Sequence, residues 1–186
     1  NQGDSSISVG KKSAEINQNQ NSVAIGTQSG RYNQGVNCVS IGLNSGYTGQ
    51  NNESIAIGSH AGYNTQGSNS IAIGSFSGNT SQKNNNVAIG CSAGYTNQGT
   101  FSVAIGHEAG YSNQGTFSIA IGTNAAYGSQ GISSVAIGDN AGYTNQYREA
   151  VAIGTSAGYA NQGTRSIAIG YLTARTDQGS SSICIG

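Results

Sequence analysis

The chain contains no proline, no methionine and no tryptophan, and only 8% of its residues are charged. Soluble domains usually carry about 25% charged residues. A length of 186 residues would ordinarily build one domain around a large core, but here Gly, Asn, Gln, Ser and Thr dominate. Seven basic and seven acidic residues are scattered singly and cancel. Without a stripe of Lys or Arg to neutralise phosphates, nucleic acid is excluded as a partner. No apolar run exceeds a few residues, so no segment reads as membrane-inserting. No signal peptide is legible. The three cysteines, Cys38, Cys91 and Cys184, are odd in number and far apart, which fits neither a disulfide framework nor a metal cluster.

Such a composition alone would fit a disordered, low-complexity chain. Periodicity argues otherwise. A Gly closing a V/I-x-I/V-G phrase stands at positions 10, 26, 42, 58, 74, 90, 106, 122, 138, 154, 170 and 186, every interval being sixteen. Strict self-similarity of this kind marks a solenoid. Counting from that Gly as step 0, step 13 is always Val or Ile, and step 15 is Ile except at Val9. Step 14 is Ala in nine coils, with Ser8, Ser40 and Cys184 in the others. Step 8 is Gln throughout, and step 5 is Tyr in seven coils.

The phrase "SVAIG" places β-branched residues two apart between turn formers and reads as a short strand. "NQG" reads as a turn, and a second extended segment is expected over steps 1 to 5. One coil cannot bury its own Val and Ile, so the coils must stack at about 4.8 Å into parallel sheets. The fold class expected is all-β, a parallel β-solenoid of about twelve 16-residue coils spanning 1–186 as one repeat domain. The stack would bring Gln34, Gln66, Gln98, Gln114, Gln130, Gln146 and Gln162 into a structural ladder of bonded amides. Alternation puts Val and Ile on one face, expected to be the inside, and Ser, Ala and Gly on the other. A full-length strip of small residues then points to close approach by another chain. Ala56, Ala72, Ala88, Ala104, Ala120, Ala136 and Ala152 become candidates for a protomer interface. Tyr47, Tyr63, Tyr95, Tyr111, Tyr127, Tyr143 and Tyr159 are the candidates for contact with another molecule, since each pairs an apolar ring with a hydroxyl.

"NSVAIGTQS" (21–29) and "NSIAIGSFS" (69–77) resemble the head repeat of YadA-like trimeric autotransporter adhesins, and the shorter pattern [V/I]-A-I-G-x-x-[S/A] recurs along nearly the whole chain. The resemblance implies a left-handed parallel β-roll, three copies of which lie side by side in a head. It further implies adhesion to host matrix proteins or sister cells, from an extracellular position on a cell surface or, as in similar repeats of viral fibres, on a virion. The strict sixteen, the Tyr column and the "NQG" phrase depart from that family's pattern. The chain also begins and ends in phase with its repeat, as an excerpt of a longer fibrous protein would.

No constellation of catalytic groups stands out. "HEAGY" at 107–111 lacks the second His of H-E-x-x-H, and His60 lies three coils away. Carboxylates do not recur as a pair at any step, and no G-x-x-x-x-G-K is present. The reading is of a non-enzymatic module without cofactor, catalytic or metal residues. Its function is expected to be that of a structural or adhesive surface fibre, self-associating as a homo-oligomer and in particular a trimer. A host protein or glycan is the further partner expected. Two alternatives stand beside it: a filament stacking end to end, and an ice-binding solenoid whose Ser, Ala and Gly face orders water.

Overall fold

The computed structural model describes residues 2–186. Their backbone repeats every sixteen residues, and among them there is no helix. One sheet has twelve parallel strands of three residues each, from Ile7–Val9 to Ile183–Ile185. Its register is a shift of one repeat: Val103 pairs with Ile119, Ala104 with Ala120 and Ile105 with Ile121. A second parallel sheet runs from Ile16–Gln18 to Ser112–Gln114 and resumes as the pair Thr144–Gln146 and Ala160–Gln162. Between the two pieces, Gln130 keeps only isolated bridges to Gln114 and Gln146. The molecule is a parallel β-solenoid, about 53 Å along the twelve strands at the usual spacing.

The second strand occupies steps 6 to 8, and steps 1 to 4 form a turn, so the extended segment expected at steps 1 to 5 is corrected. The reason lies in the corners. In the coil that begins at Gly90, Ser92, Gly94, Asn97 and Phe101 all have φ between 54° and 56°. These steps, 2, 4, 7 and 11, are left-handed throughout most of the rod. Gly and Asn tolerate that conformation best, which explains their recurrence there. Asn97 sits in the middle of Thr96–Gln98, so "NQG" is a bent strand rather than a turn. The Gly of step 0 has a separate cause. At Gly106, with φ at 132°, a Cβ would stand 2.6 Å from the carbonyl oxygen of Gly122 in the next coil.

Which face lies inside is the reverse of the expectation. Ala104 and Ala120 are 0% exposed, as are their counterparts Ala56, Ala72, Ala88, Ala136 and Ala152. Val and Ile of steps 13 and 15 project outward, half-buried or exposed, with Ile25 at 38%. The interior is too narrow for branched side chains. It is filled by Ser or Ala at step 3, Gly at step 4, Gln at step 8, Ser at step 12 and Ala at step 14. A Cβ on Gly94 would already lie 2.7 Å from Gln98 Oε1 and 3.3 Å from Ala88 Cβ. The seven alanines expected at a protomer interface are therefore enclosed by their own coils and have no surface to offer another chain.

With so little large apolar matter inside, the backbone carries much of the cohesion. Each coil donates to the next at strands and corners alike: Val103 N–H to Ser118 O at 3.0 Å, Thr96 N–H to Tyr111 O at 2.9 Å, Gly110 N–H to Ala125 O at 2.8 Å. At about 0.5–1.5 kcal/mol net per bond, these regular ladders offset the cost of the left-handed corners.

Candidate functional site: the outer columns of the rod

The outward Val and Ile form two parallel columns along the whole twelve-stranded sheet. Step 13 supplies Val87, Val103 and Ile119, and step 15 supplies Ile89, Ile105 and Ile121, on successive rungs. No charged side chain interrupts either column. Two columns across a strand and twelve rungs give a strip of about 500 Å². The largest apolar patch on a typical monomer spans about 300–600 Å² and is often functional, and this strip is of that size but drawn out along the whole rod.

The Gln column lies inside and does more than bond to itself. Gln98 Nε2 donates to Val87 O at 3.0 Å and to Ser102 O at 3.4 Å, so the side chain crosses the interior and ties the second sheet to the first. Gln114 repeats the first bond, to Val103 O at 2.7 Å, and Gln162 does so to Val151 O at 2.6 Å. Amide-to-amide bonds link Gln34 to Gln50 and Gln50 to Gln66, Gln82 to Gln98, and Gln130 through Gln146 to Gln162. The column is thus a series of short runs, and the cross-sheet tie, which the sequence reading missed, is the constant element.

The Tyr candidates come together as a stack. Tyr95, Tyr111, Tyr127, Tyr143 and Tyr159 follow one another at 4.8–5.1 Å with interplanar angles of 9° or less, and Tyr47 stacks on Tyr63 at 4.8 Å. Asn79 replaces Tyr in the intervening coil, yet the aromatic path detours around it. Tyr63 meets His60 at 5.3 Å, His60 stacks on Phe76 at 4.9 Å, and Phe76 reaches Tyr95 at 6.4 Å. Guanidinium groups cap both ends, Arg31 5.6 Å above Tyr47 and Arg175 5.8 Å above Tyr159. Stacking covers the ring faces, so the column offers ring edges and a row of hydroxyls to solvent. Burial, reinforced by the neighbouring rings, pushes the phenols of Tyr111 and Tyr143 above their usual range.

Other singled-out residues lie apart from these columns. Cys38 takes the interior place of a step-12 Ser, where burial pushes its thiol up, while Cys91 and Cys184 are exposed. His107 and Glu108 are neighbours on a turn, 3.9 Å apart. Among the described residues no three His, Cys, Asp or Glu side chains gather as metal ligands, and no helix is long and apolar enough to cross a membrane. The sequence reading also passed over Phe101 and Phe117, which stack at 5.3 Å on left-handed corners and are more than half exposed. Their place at step 11, where Asn is commonest, was the available signal. The Ser, Ala and Gly face on which ice binding would rest is the buried one, so it presents no lattice to water.

No curated protein and no solved structure matches the chain. A protein-family comparison does find a match over residues 114–125, which take in the Gln114 tie, the outward Ile119 and Ile121 and the buried Ala120 between them. The model that matches there, in two copies, is that of the YadA head domain repeat.

Proposed function

We propose that the chain is a segment of an extracellular surface fibre, an adhesin-type head in which identical rods associate side by side through their Val and Ile strips. The observation that carries this is the strip itself: apolar, uncharged, as long as the rod, and facing away from a core that has no room for it. A second copy matches it rung for rung, since every rod carries the same columns at the same spacing. Other soluble partners would have to supply a complementary apolar ridge of similar length. The YadA head repeat within the rod supports three copies as the number, with strips turned toward a common axis. The second sheet and the Tyr column then face outward, where a repeated surface gains strength from many weak equivalent contacts on a host protein or glycan.

Sedimentation velocity combined with light scattering tests this reading. It requires an elongated homotrimer that persists at micromolar concentration. A stable monomer at tens of micromolar would overturn it.

A further inference from the structure

On the face turned away from the aliphatic strip, several departures from the repeat fall in adjacent coils. Step 7 is Asn at 17, 33, 97, 113, 145 and 161, but Thr65 and Ser81 take its place in two consecutive coils. Thr65 has φ at 55° and is the one β-branched residue among the described non-glycine residues of positive φ. The left-handed corner is common to the coils, but a β-branched side chain suits it less well than Asn, so Thr65 is held there at some cost in stability. Step 9 is Gly in most coils, because the next coil's backbone crowds any Cβ there. At Gly67 a Cβ would lie 2.4 Å from Lys83 C. Asn51 and Lys83 nonetheless occupy step 9 on either side of Gly67.

These exceptions border a shallow cavity of about 290 Å³, open to solvent and lined by the exposed Asn51, Thr65, Ser81, Lys83 and Asn84 together with Gly67, Gln82 and Thr100. Asn84 is held in place, its Oδ1 accepting from Ser68 N–H at 3.0 Å, which leaves its amide NH₂ free for other partners. The Lys83 ammonium is in no ion pair among the described residues. The lining is thus one cation among neutral hydroxyls and amides, in a space at the small end of small-molecule sites. That combination suits a polyhydroxyl body bearing a single negative charge.

We propose that this cavity binds a sugar ring carrying one acidic group. Lys83 takes the acid in a charge-assisted hydrogen bond, while Thr65, Ser81, Asn51 and Asn84 take ring hydroxyls. The inference names a ligand class for the outward face and rests on the surface-fibre reading for that face being free.

Saturation-transfer NMR on the purified chain tests it with three probes: glucuronic acid, glucose as its neutral counterpart, and acetate as the acid without the ring. Glucuronic acid is expected to bind at about millimolar Kd, with glucose and acetate at least about fivefold weaker. Lys83→Gln is expected to weaken glucuronic acid about tenfold, the scale of one charge-assisted bond, and to leave glucose unchanged. Thr65→Gly removes the hydroxyl and suits the left-handed corner, as Gly49 does in the preceding coil, so it should weaken glucuronic acid and glucose alike without lowering the melting temperature, which separates loss of the site from loss of the fold. Glucuronic acid binding no better than glucose, no better than acetate, or undiminished by Lys83→Gln would each overturn the proposal. Sedimentation of the same samples keeps the two readings apart: an intact oligomer that ignores glucuronic acid sinks the sugar site alone.

Discussion

Ala104 and Ile105 are neighbours on one strand, and replacing each in turn by Asp gives a matched pair with opposite expected outcomes. Ala104 is 0% exposed, between the equally enclosed Ala88 and Ala120 of the adjoining rungs. A carboxylate there has no cation and no room. Overpacking costs about 1–3 kcal/mol, and an unpaired buried charge adds several more. In a rod whose coils are stabilised by their neighbours, that breaks the stack locally or prevents folding. Ile105 projects outward and is half-buried in the single chain. Its replacement costs the isolated protomer about 1–2 kcal/mol of apolar burial, but places an uncompensated charge in the strip of every copy. At about 4 kcal/mol or more, the association constant falls roughly a thousandfold. Far-UV circular dichroism with sedimentation velocity reads both outcomes. Ile105→Asp should keep the β spectrum and dissociate, whereas Ala104→Asp should lose the spectrum. A folded, dissociated Ala104→Asp beside an unfolded Ile105→Asp would refute the assignment of inner and outer faces.

Three further outcomes are expected. Ala126 holds φ at 50° at a corner where most coils have Gly, so Ala126→Gly should raise urea stability by about 1 kcal/mol; a decrease would show that its methyl group matters more than its conformation. In the same coil Gly128 and Ser129 interrupt the second sheet, so hydrogen exchange at 128–130 should outpace that at Thr96–Gln98 and Thr144–Gln146. Gly128→Thr with Ser129→Asn should slow it, and equal rates in the native chain would deny the weak joint. The phenols of Tyr111 and Tyr143 are raised above 10.0 by burial, so the unfolded chain deprotonates first as pH climbs. Their contribution leaves stability intact below about pH 10 and erodes it above. Ultraviolet absorbance titration should show late-ionising tyrosines, and Tyr→Phe at both positions should reduce the alkaline loss.

The period, the β class and the stacking register could all be read from the step-0 Gly and the step-13 and step-15 aliphatics. The direction in which those aliphatics point could not. Alternation divides a strand into two faces without saying which is inside, and the habit of placing Val and Ile within fails when the interior is this narrow. A usable signal was present in the other small positions. Steps 3, 4, 12 and 14 are nearly all Ser, Ala or Gly, and together they describe an interior that admits little beyond a methyl or hydroxyl group apart from the long Gln. The second strand was hidden because Asn97 and its counterparts are corner formers lying within a ladder. The Tyr column was legible from spacing, but its bypass through His60 and Phe76 depends on contacts between different steps of neighbouring coils. The cavity at Lys83 is visible in sequence only as a cluster of exceptions to the repeat.

The claim that the Val and Ile strips meet one another can be tested at a native residue. Cys91 is exposed two positions beyond Ile89 at the edge of the strip, Cys38 is buried, and Cys184 is the other exposed thiol. A Cys184→Ser chain spin-labelled at Cys91 therefore reports on one edge of each strip. Sheets packed face to face lie about 10 Å apart, so the account predicts a well-defined dipolar distance between protomers, lost in Ile105→Asp. A labelled chain that shows no coupling between protomers at tens of micromolar would contradict it.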